Sequence, residues 1–186
     1  MKILGISGSL RAASYNTALL RAAAELAPEG VEFELYDGLE ALPPYNEDRD
    51  GDFPAPAARR LREQIAAADA VLFATPEYNG SVPGQLKNAV DWASRPRGKG
   101  AALWGKPAAV VGASAGEYGA LWAQDHLRRA LGIASARVLD VELPVAKAPL
   151  RFDDDGVLTD LEIRDHLAEI VGELVEQHAR LTHAAA

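Results

Sequence analysis

The sequence predicts a three-layer α/β sandwich, a five-stranded parallel sheet of order 2-1-3-4-5 with helices on both faces. Three features of the chain carry that expectation. Apolar runs alternate with helical patterns from end to end, with no repeat, low-complexity tract or long linker between them. Three of the runs are apolar throughout, as strands covered on both faces should be. Two others carry charges at intervals of two, which a half-exposed edge strand tolerates.

The elements follow in order. Ile3-Leu4-Gly5-Ile6 centres a first strand over Lys2–Ser7, and a helix over Ser14–Ala27 comes next. Val31-Glu32-Phe33-Glu34-Leu35 alternates, so the second strand, Val31–Tyr36, lies at an edge. After a helix over Ala55–Ala68, Val71-Leu72-Phe73-Ala74 makes the third strand, Ala70–Thr75, a central one. The helix Gly84–Ala93 carries Lys87 and Asp91 at i,i+4 and an exposed-looking Trp92. That face is either ordinary helix surface or a contact between subunits. Ala108-Ala109-Val110-Val111 centres the fourth strand, Pro107–Ala113, before a helix over Ala120–Leu131. Val138-Leu139-Asp140-Val141-Glu142-Leu143 alternates again, so the fifth strand, Ala136–Leu143, forms the other edge. In the last helix, Thr159–Leu181, residues Ile163, Leu167, Ile170, Leu174, His178 and Leu181 recur at intervals of three or four. They form one stripe toward a core, and His178 is read as a packing residue.

Length and composition bound the function. A chain of 186 residues fits a single domain over 1–186. Nineteen Lys plus Arg against 27 Asp plus Glu leave a net charge of −8, so the cationic footprint of a nucleic-acid binder is missing. With no cysteine, the chain has no disulfides, thiolate nucleophiles or iron–sulfur ligands, and redox chemistry must come from a bound cofactor. The four His show no paired metal spacing, and no metal is assigned. The opening Met-Lys-Ile-Leu-Gly-Ile-Ser is too short an apolar run for a signal peptide, and no stretch approaches the ~20 apolar residues of a membrane span. A soluble cytoplasmic protein with no membrane or nucleic-acid partner is expected.

With right-handed crossovers, the predicted order places a ligand crevice at the carboxyl ends of strands one and three. Both places hold unusual sequence. After strand one, Gly8-Ser9-Leu10-Arg11-Ala12-Ala13-Ser14-Tyr15-Asn16 is a short polar loop opening into a helix, whose terminal N–H groups and dipole favour an anion. Ser9, Ser14 and Asn16 add neutral donors, and Arg11 adds a charged fork suited to phosphate oxygens. The loop has neither Gly-x-Gly-x-x-Gly spacing nor a Gly-Lys-Ser/Thr, so a mononucleotide phosphate is the expected ligand. The plainer alternative makes Ser14 an N-cap, Ser9 a turn residue and Arg11 a solvated cation.

After strand three the chain reads Thr75-Pro76-Glu77-Tyr78-Asn79-Gly80-Ser81-Val82-Pro83-Gly84. Pro76 and Pro83 fix φ at two points, and Asn79-Gly80 readily forms a turn with positive φ. Such a stiff loop lays backbone N–H and C=O groups beside a flat heterocycle while Tyr78 supplies an apolar wall. A structural turn with Tyr78 packed on the sheet is the alternative. After strand four, Gly112-Ala113-Ser114-Ala115-Gly116 has two readings. It matches the Gly-x-Ser-x-Gly nucleophile elbow of a serine hydrolase, with Asp153, Asp154 or Asp155 and His166 or His178 downstream. Otherwise Ser114, Gly116, Tyr118 and Gly119 form a third cofactor-facing loop. The second reading is preferred, because both histidines fall within the last helix and a hydrolase leaves the Arg11 and Tyr78 loops without a role. Asn46–Phe53, with Glu47, Asp48, Asp50 and Asp52, is expected to be a mobile acidic loop near the edge of the site.

Taken together, Gly8-Ser9-Leu10-Arg11, Ser14-Tyr15-Asn16, Thr75 to Gly84, Leu86-Lys87-Asn88-Ala89 and Asp91-Trp92 resemble the NADPH-dependent FMN reductase family, which includes chromate, quinone and azo-dye reductases on a flavodoxin-like fold. The resemblance implies that Ser9, Arg11, Ser14, Tyr15 and Asn16 hold the FMN phosphate and its neighbourhood, and that Pro76, Glu77, Tyr78, Asn79 and Gly80 flank the isoalloxazine. It also implies homodimers through the helix holding Lys87 and Asp91, often paired into homotetramers. Where members commonly read Ser-x-Gly-x-x-Gly-Gly-x-Arg-Ala-Gln, this chain has Ala120 for the second of the paired glycines and Trp122 for the Arg. Flavin binding is expected to survive that departure, while any contact of the Arg to a neighbouring subunit, the nicotinamide donor or the acceptor is lost. The implied activity passes electrons from NADPH or NADH through FMN to small molecules: quinones, flavins, azo compounds or metal oxyanions. Backbone N–H groups of Asn79 and Gly80 are placed to stabilise negative charge on the reduced ring. A flavodoxin-like electron carrier is the alternative.

Overall fold

The uninterrupted apolar runs form the middle of the sheet. β1 (Lys2–Ser7), β3 (Ala70–Ala74) and β4 (Pro107–Ala113) lie side by side, with β2 (Glu32–Leu35) outside β1. The computed structural model, which describes residues 1–51 and 54–185, has the expected order β2-β1-β3-β4-β5 with every pairing parallel. Every residue of β3 and β4 is buried, because helices cover both faces. α1 (Tyr15–Glu25) and α5 (Leu161–Ala185) pack Leu19, Leu20, Leu167, Ile170 and Leu174 on one face. α2 (Pro56–Ala67), α3 (Gly84–Ala93) and α4 (Leu121–Ile133) pack Leu61, Ile65, Leu86, Trp92 and Leu127 on the other. At the β2 edge Glu32 and Glu34 reach Lys2, at 3.4 and 2.5 Å, while Phe33 and Leu35 turn inward.

Register positions the site. Ser7 pairs with Ala74 and Ala74 with Val111, so β1 and β3 end level while β4 runs on two residues to Ala113. The Gly8 N–H donates to the Ala74 carbonyl at 2.8 Å, and the Thr75 N–H to the Val111 carbonyl at 2.9 Å. Three loops therefore leave neighbouring strands at the same end of the sheet. Gly8 allows the first to lie close to its neighbours, since a Cβ there would come within 2.6 Å of Leu86 Cδ2 and 3.2 Å of Pro76 Cδ.

The fifth strand departs from expectation. Instead of one run over Ala136–Leu143, two short strands, β5 (Arg137–Val138) and β6 (Pro144–Val145), pair with β4, and residues 140–142 bow outward between Leu139 and Leu143, which still bond to it. Side chains of α4 explain the break. The fully buried Gln124 accepts from the Leu143 N–H at 3.2 Å and donates to the Gly119 carbonyl at 3.1 Å. Arg128 donates to the Val141 carbonyl at 2.8 Å and pairs with Glu142. Backbone groups that a continuous strand would present to β4 are held by the helix instead. The approach requires Gly119, whose φ is 56° and whose added Cβ would lie 2.4 Å from the Pro144 carbonyl carbon.

Other expectations are corrected by segments that wrap the helices. Trp92 is 1% exposed, not a surface residue: its indole N–H donates to the Pro43 carbonyl at 2.8 Å, and Tyr45 meets the ring edge-on. Gln85 and Asn88, on the same face of α3, bind the carbonyls of Leu39, Leu42 and Pro43 and the Tyr45 N–H. Those polar side chains draw 39–45 across the helix. The acidic loop is anchored over its described part, because Glu47–Arg49 forms a 3-10 turn capped by Asn46 and Asp50 pairs with Arg62 at 2.7 Å. Asp52 and Phe53 lie outside the described residues. His178 is half-buried at the margin of the stripe, its Nε2 3.8 Å from an Asp69 carboxylate oxygen.

Gln124→Leu, similar in volume, strands the Leu143 N–H and the Gly119 carbonyl. It is expected to lower the unfolding free energy by about 2–6 kcal/mol, at about 1–3 kcal/mol for each unsatisfied group, measured by urea denaturation.

Candidate functional site

α1 begins where the first loop ends, and Ser14 is its cap. The Ser14 Oγ accepts from the Thr17 N–H at 3.2 Å, which leaves the hydroxyl proton free to donate outward. Asn16 is 3% exposed, and its carboxamide makes two bonds to the Ala113 backbone, donating to the carbonyl and accepting from the N–H, both at 2.9 Å. Its side chain therefore ties α1 to the end of β4 and is not a free donor. Arg11 is exposed and has no carboxylate partner among the described residues.

The second loop closes on itself. Tyr78 and Ser81 exchange backbone bonds of 3.0 and 3.1 Å around Asn79 and Gly80, whose φ values are 52° and 71°. This is the two-residue hairpin turn that Asn-Gly favours, and it leaves the N–H groups of its two central residues outside the pairing. Glu77 turns toward α4 and accepts from the Ala123 N–H at 3.1 Å. α4 needs that bond, since Ala120 precedes it with φ 63° and provides no side-chain cap. Farther along the hairpin, Ser81 Oγ lies 3.2 Å from His126 Nδ1. The third loop is clasped from below, with the Ser114 N–H on the Val145 carbonyl, the Ala148 N–H on the Ser114 carbonyl and the Lys147 N–H on the Gly116 carbonyl.

The three loops meet around a hollow of about 150 Å³ lined by Ser9, Arg11, Ser14, Tyr15 and Asn16, by Pro76, Glu77 and Tyr78, and by Ala113, Ser114 and Ala115. Tyr15 also packs on Phe152, with ring centroids 5.3 Å apart. Asn79 and Gly80 stand beyond the lining at the hairpin tip, and Gly116 donates its N–H to Ser114 Oγ outside it. Ala113 and Ala115 are lining residues that sequence reasoning did not single out, although they flank Ser114. An apolar chamber of about 270 Å³ adjoins, sharing Arg11 and Tyr78 and walled by Leu10 and Pro83. The lining holds one carboxylate, Glu77, already engaged by α4, so the arrangement favours an anion beside a flat apolar group.

Two more voluminous hollows, at about 490 and 440 Å³, lack comparable chemistry. The groove of about 490 Å³ at the amino ends of the strands holds Asp69, Trp104, Lys106 and His178. Lys106 there donates to the Ala66 and Ala68 carbonyls, its pKa lowered by burial, and Asp69 accepts from the Lys2 N–H. The other, of about 440 Å³, runs between α3 and α4 past Lys87, Asp91 and Ile133. A serine-hydrolase arrangement is not assembled. Among the described residues no histidine bonds to Ser114, His166 is exposed on α5, and His178 faces Asp69.

Comparison with known proteins places these features in context. The sequence profile described as NADPH-dependent FMN reductase matches residues 1–149. An NAD(P)H-dependent FMN reductase of Pseudomonas aeruginosa is 51% identical over 167 residues, covering 89% of this chain and 88% of the relative. A 2-hydroxy-1,4-benzoquinone reductase of a Burkholderia species is 42% identical over 169 residues, covering 90% of each. Among solved structures, the flavoenzyme NAD(P)H:(acceptor) oxidoreductase FerB of Paracoccus denitrificans superposes with a TM-score of 0.85 at 37% identity, over 96% of this chain and 97% of the other.

Glu77→Ala removes the acceptor that caps α4 and is expected to lower stability by about 0.5–2 kcal/mol, the range for a lost N-cap. Glu77→Gln, whose amide oxygen still accepts, should retain most of it, as read by thermal unfolding with hydrogen exchange at residues 121–124.

Proposed function

The chain belongs to the NADPH-dependent FMN reductase family, and from that premise we propose that it is an oxidoreductase holding FMN between its first and second loops, passing electrons from NADPH or NADH to small molecules such as quinones. The observation that supports this placement is the convergence of Arg11 and Tyr78, 67 positions apart in the chain, on one hollow. The residues fit the group. Hydroxyls, a guanidinium without a carboxylate partner among the described residues and a helix N-terminus suit a phosphate monoester, while a stiff hairpin with unpaired N–H groups suits a flat ring rich in acceptors.

Bound FMN supplies the redox chemistry, accepting hydride from the nicotinamide and delivering two electrons to the acceptor. The chain supplies binding and electrostatics. Ser9, Arg11 and Ser14 grip the phosphate, with α1's dipole behind them, and Tyr15 closes that side. Asn16 acts from behind, keeping α1 in position against Ala113. Pro76, Tyr78 and Ser114 bound the ring, and the N–H groups of Asn79 and Gly80 stabilise charge gained on reduction. Gly116 and Glu77 hold their loops in shape. Nothing in this scheme calls for a general base.

The same reading puts the enzyme in the cytoplasm as homodimers or homotetramers. The exposed Lys87–Asp91 pair at 2.7 Å and the groove beside Ile133 supply the face for a second copy. No helix among the described residues is long and apolar enough to cross a membrane.

Acid treatment of freshly purified protein should release a yellow chromophore with the spectrum of FMN, the apoprotein should take FMN back, and anaerobic NADPH should bleach the complex. Colourless protein that cannot be reconstituted overturns the reading, and steady NADPH oxidation separates a reductase from an electron carrier. Arg11→Ala is expected to weaken FMN binding by about 1.5–3 kcal/mol, the scale of a charged hydrogen bond, in a flavin-fluorescence titration.

A further inference from the structure

Two aromatic side chains stand together beside the hollow without a structural task. Tyr118 and Trp122 are 60% and 47% exposed, with ring centroids 4.7 Å apart. Trp122 lies in the first turn of α4, and the next residue, Ala123, gives its N–H to Glu77 of the lining. Tyr118 follows Ser114 and Ala115, also of the lining, in the same loop. The pair thus stands outside the lining, joined to its margin through Ala123 and Ala115, and Tyr78 of the lining is itself 51% exposed.

Aromatic faces left in water invite a ligand. This patch is small, because exposed Glu117, Asp125 and His126 border it, and Glu117 pairs with Lys147 at 3.0 Å. Two rings fall far short of the roughly 1,000 Å² that a stable protein interface buries. Glu117, Asp125 and Glu77 are engaged by Lys147, Arg128 and the Ala123 N–H, so the pair itself offers only ring faces, whose negative π-clouds suit a stacked neutral ring better than an anion.

We propose that Tyr118 and Trp122 form a stacking shelf for the electron acceptor, selecting planar uncharged aromatics, quinones above all, over anionic acceptors. The inference rests on the flavin reading and names the acceptor class it serves. The shelf touches the acceptor and not the cofactor. Trp122 is therefore a specificity residue.

The test uses Trp122→Arg and Trp122→Phe holoenzymes with tetramethyl-1,4-benzoquinone, which has no ring position open to alkylation, and with ferricyanide. Trp122→Arg should raise the quinone KM about tenfold and lower that for ferricyanide, while FMN affinity and the rate of reduction by NADPH stay unchanged; Trp122→Phe should keep the wild-type preference. Binding is read separately in apoprotein carrying Trp104→Phe, where Trp122 is the remaining exposed indole. Saturable quenching by the quinone, weakened by Tyr118→Ala, supports the shelf, and purely collisional quenching overturns it. An unchanged ratio of the two KM values in Trp122→Arg also overturns it, and loss of the oligomer with that ratio intact would assign the pair to a second copy instead. Wild-type protein without flavin would sink the flavin reading alone, since the quenching measurement needs no cofactor.

Discussion

Two hydrogen bonds between the Asn16 carboxamide and the Ala113 backbone join the start of α1 to the end of β4, and the rest of the site is built on that joint. The residues are 97 positions apart and the bonds are buried, so breaking them strands polar groups on both sides. The anion cradle and the third loop consequently share one rigid reference. The hairpin joins them through Glu77 and α4, and α4 is fastened through Gln124 to Gly119 and Leu143. Each clasp uses a backbone group on at least one side. The Arg11 guanidinium and the hydroxyl protons of Ser9, Ser14 and Ser114, whose oxygens accept within the loops, are left for a ligand.

This construction suits a protein whose chemistry resides in a bound group. Preorganised donors cost little reorganisation when charge moves, provided the backbone carrying them cannot shift. In the proposed function the anion end relies on a helix terminus and one guanidinium, the ring end on backbone N–H groups, and the outer rim on aromatic faces. Charge, shape and selectivity thus occupy separate stretches of chain, and the rim can vary without disturbing the anchor.

Much of this was legible in the sequence because the signals were local. Three uninterrupted apolar runs identified the central strands, their order placed the crevice, and Asn79-Gly80 announced its turn. What escaped depends on partners remote in sequence. Trp92 looked exposed because nothing near it shows that 39–45 crosses α3. The alternation around Leu139 reads as a strand because Gln124 and Arg128, which pull that backbone away, sit on another element. Asn16 has the right chemistry for a phosphate donor, yet its distant partner Ala113 takes the side chain. The cap on α4 was invisible for the same reason, Glu77 being far upstream. Ala113 and Ala115 carry no chemical signal at all, and only geometry makes them walls.

The bowed segment between β5 and β6 bears on how the molecule behaves in a crowded solution. A full-length strand at that margin would offer a row of unsatisfied N–H and C=O groups to any passing extended peptide. Two-residue strands, separated by a stretch tethered to Arg128 and carrying the exposed acids Asp140 and Glu142, give an incoming chain nothing to zip along. The helix that borders the candidate site thereby also guards the sheet against templated aggregation.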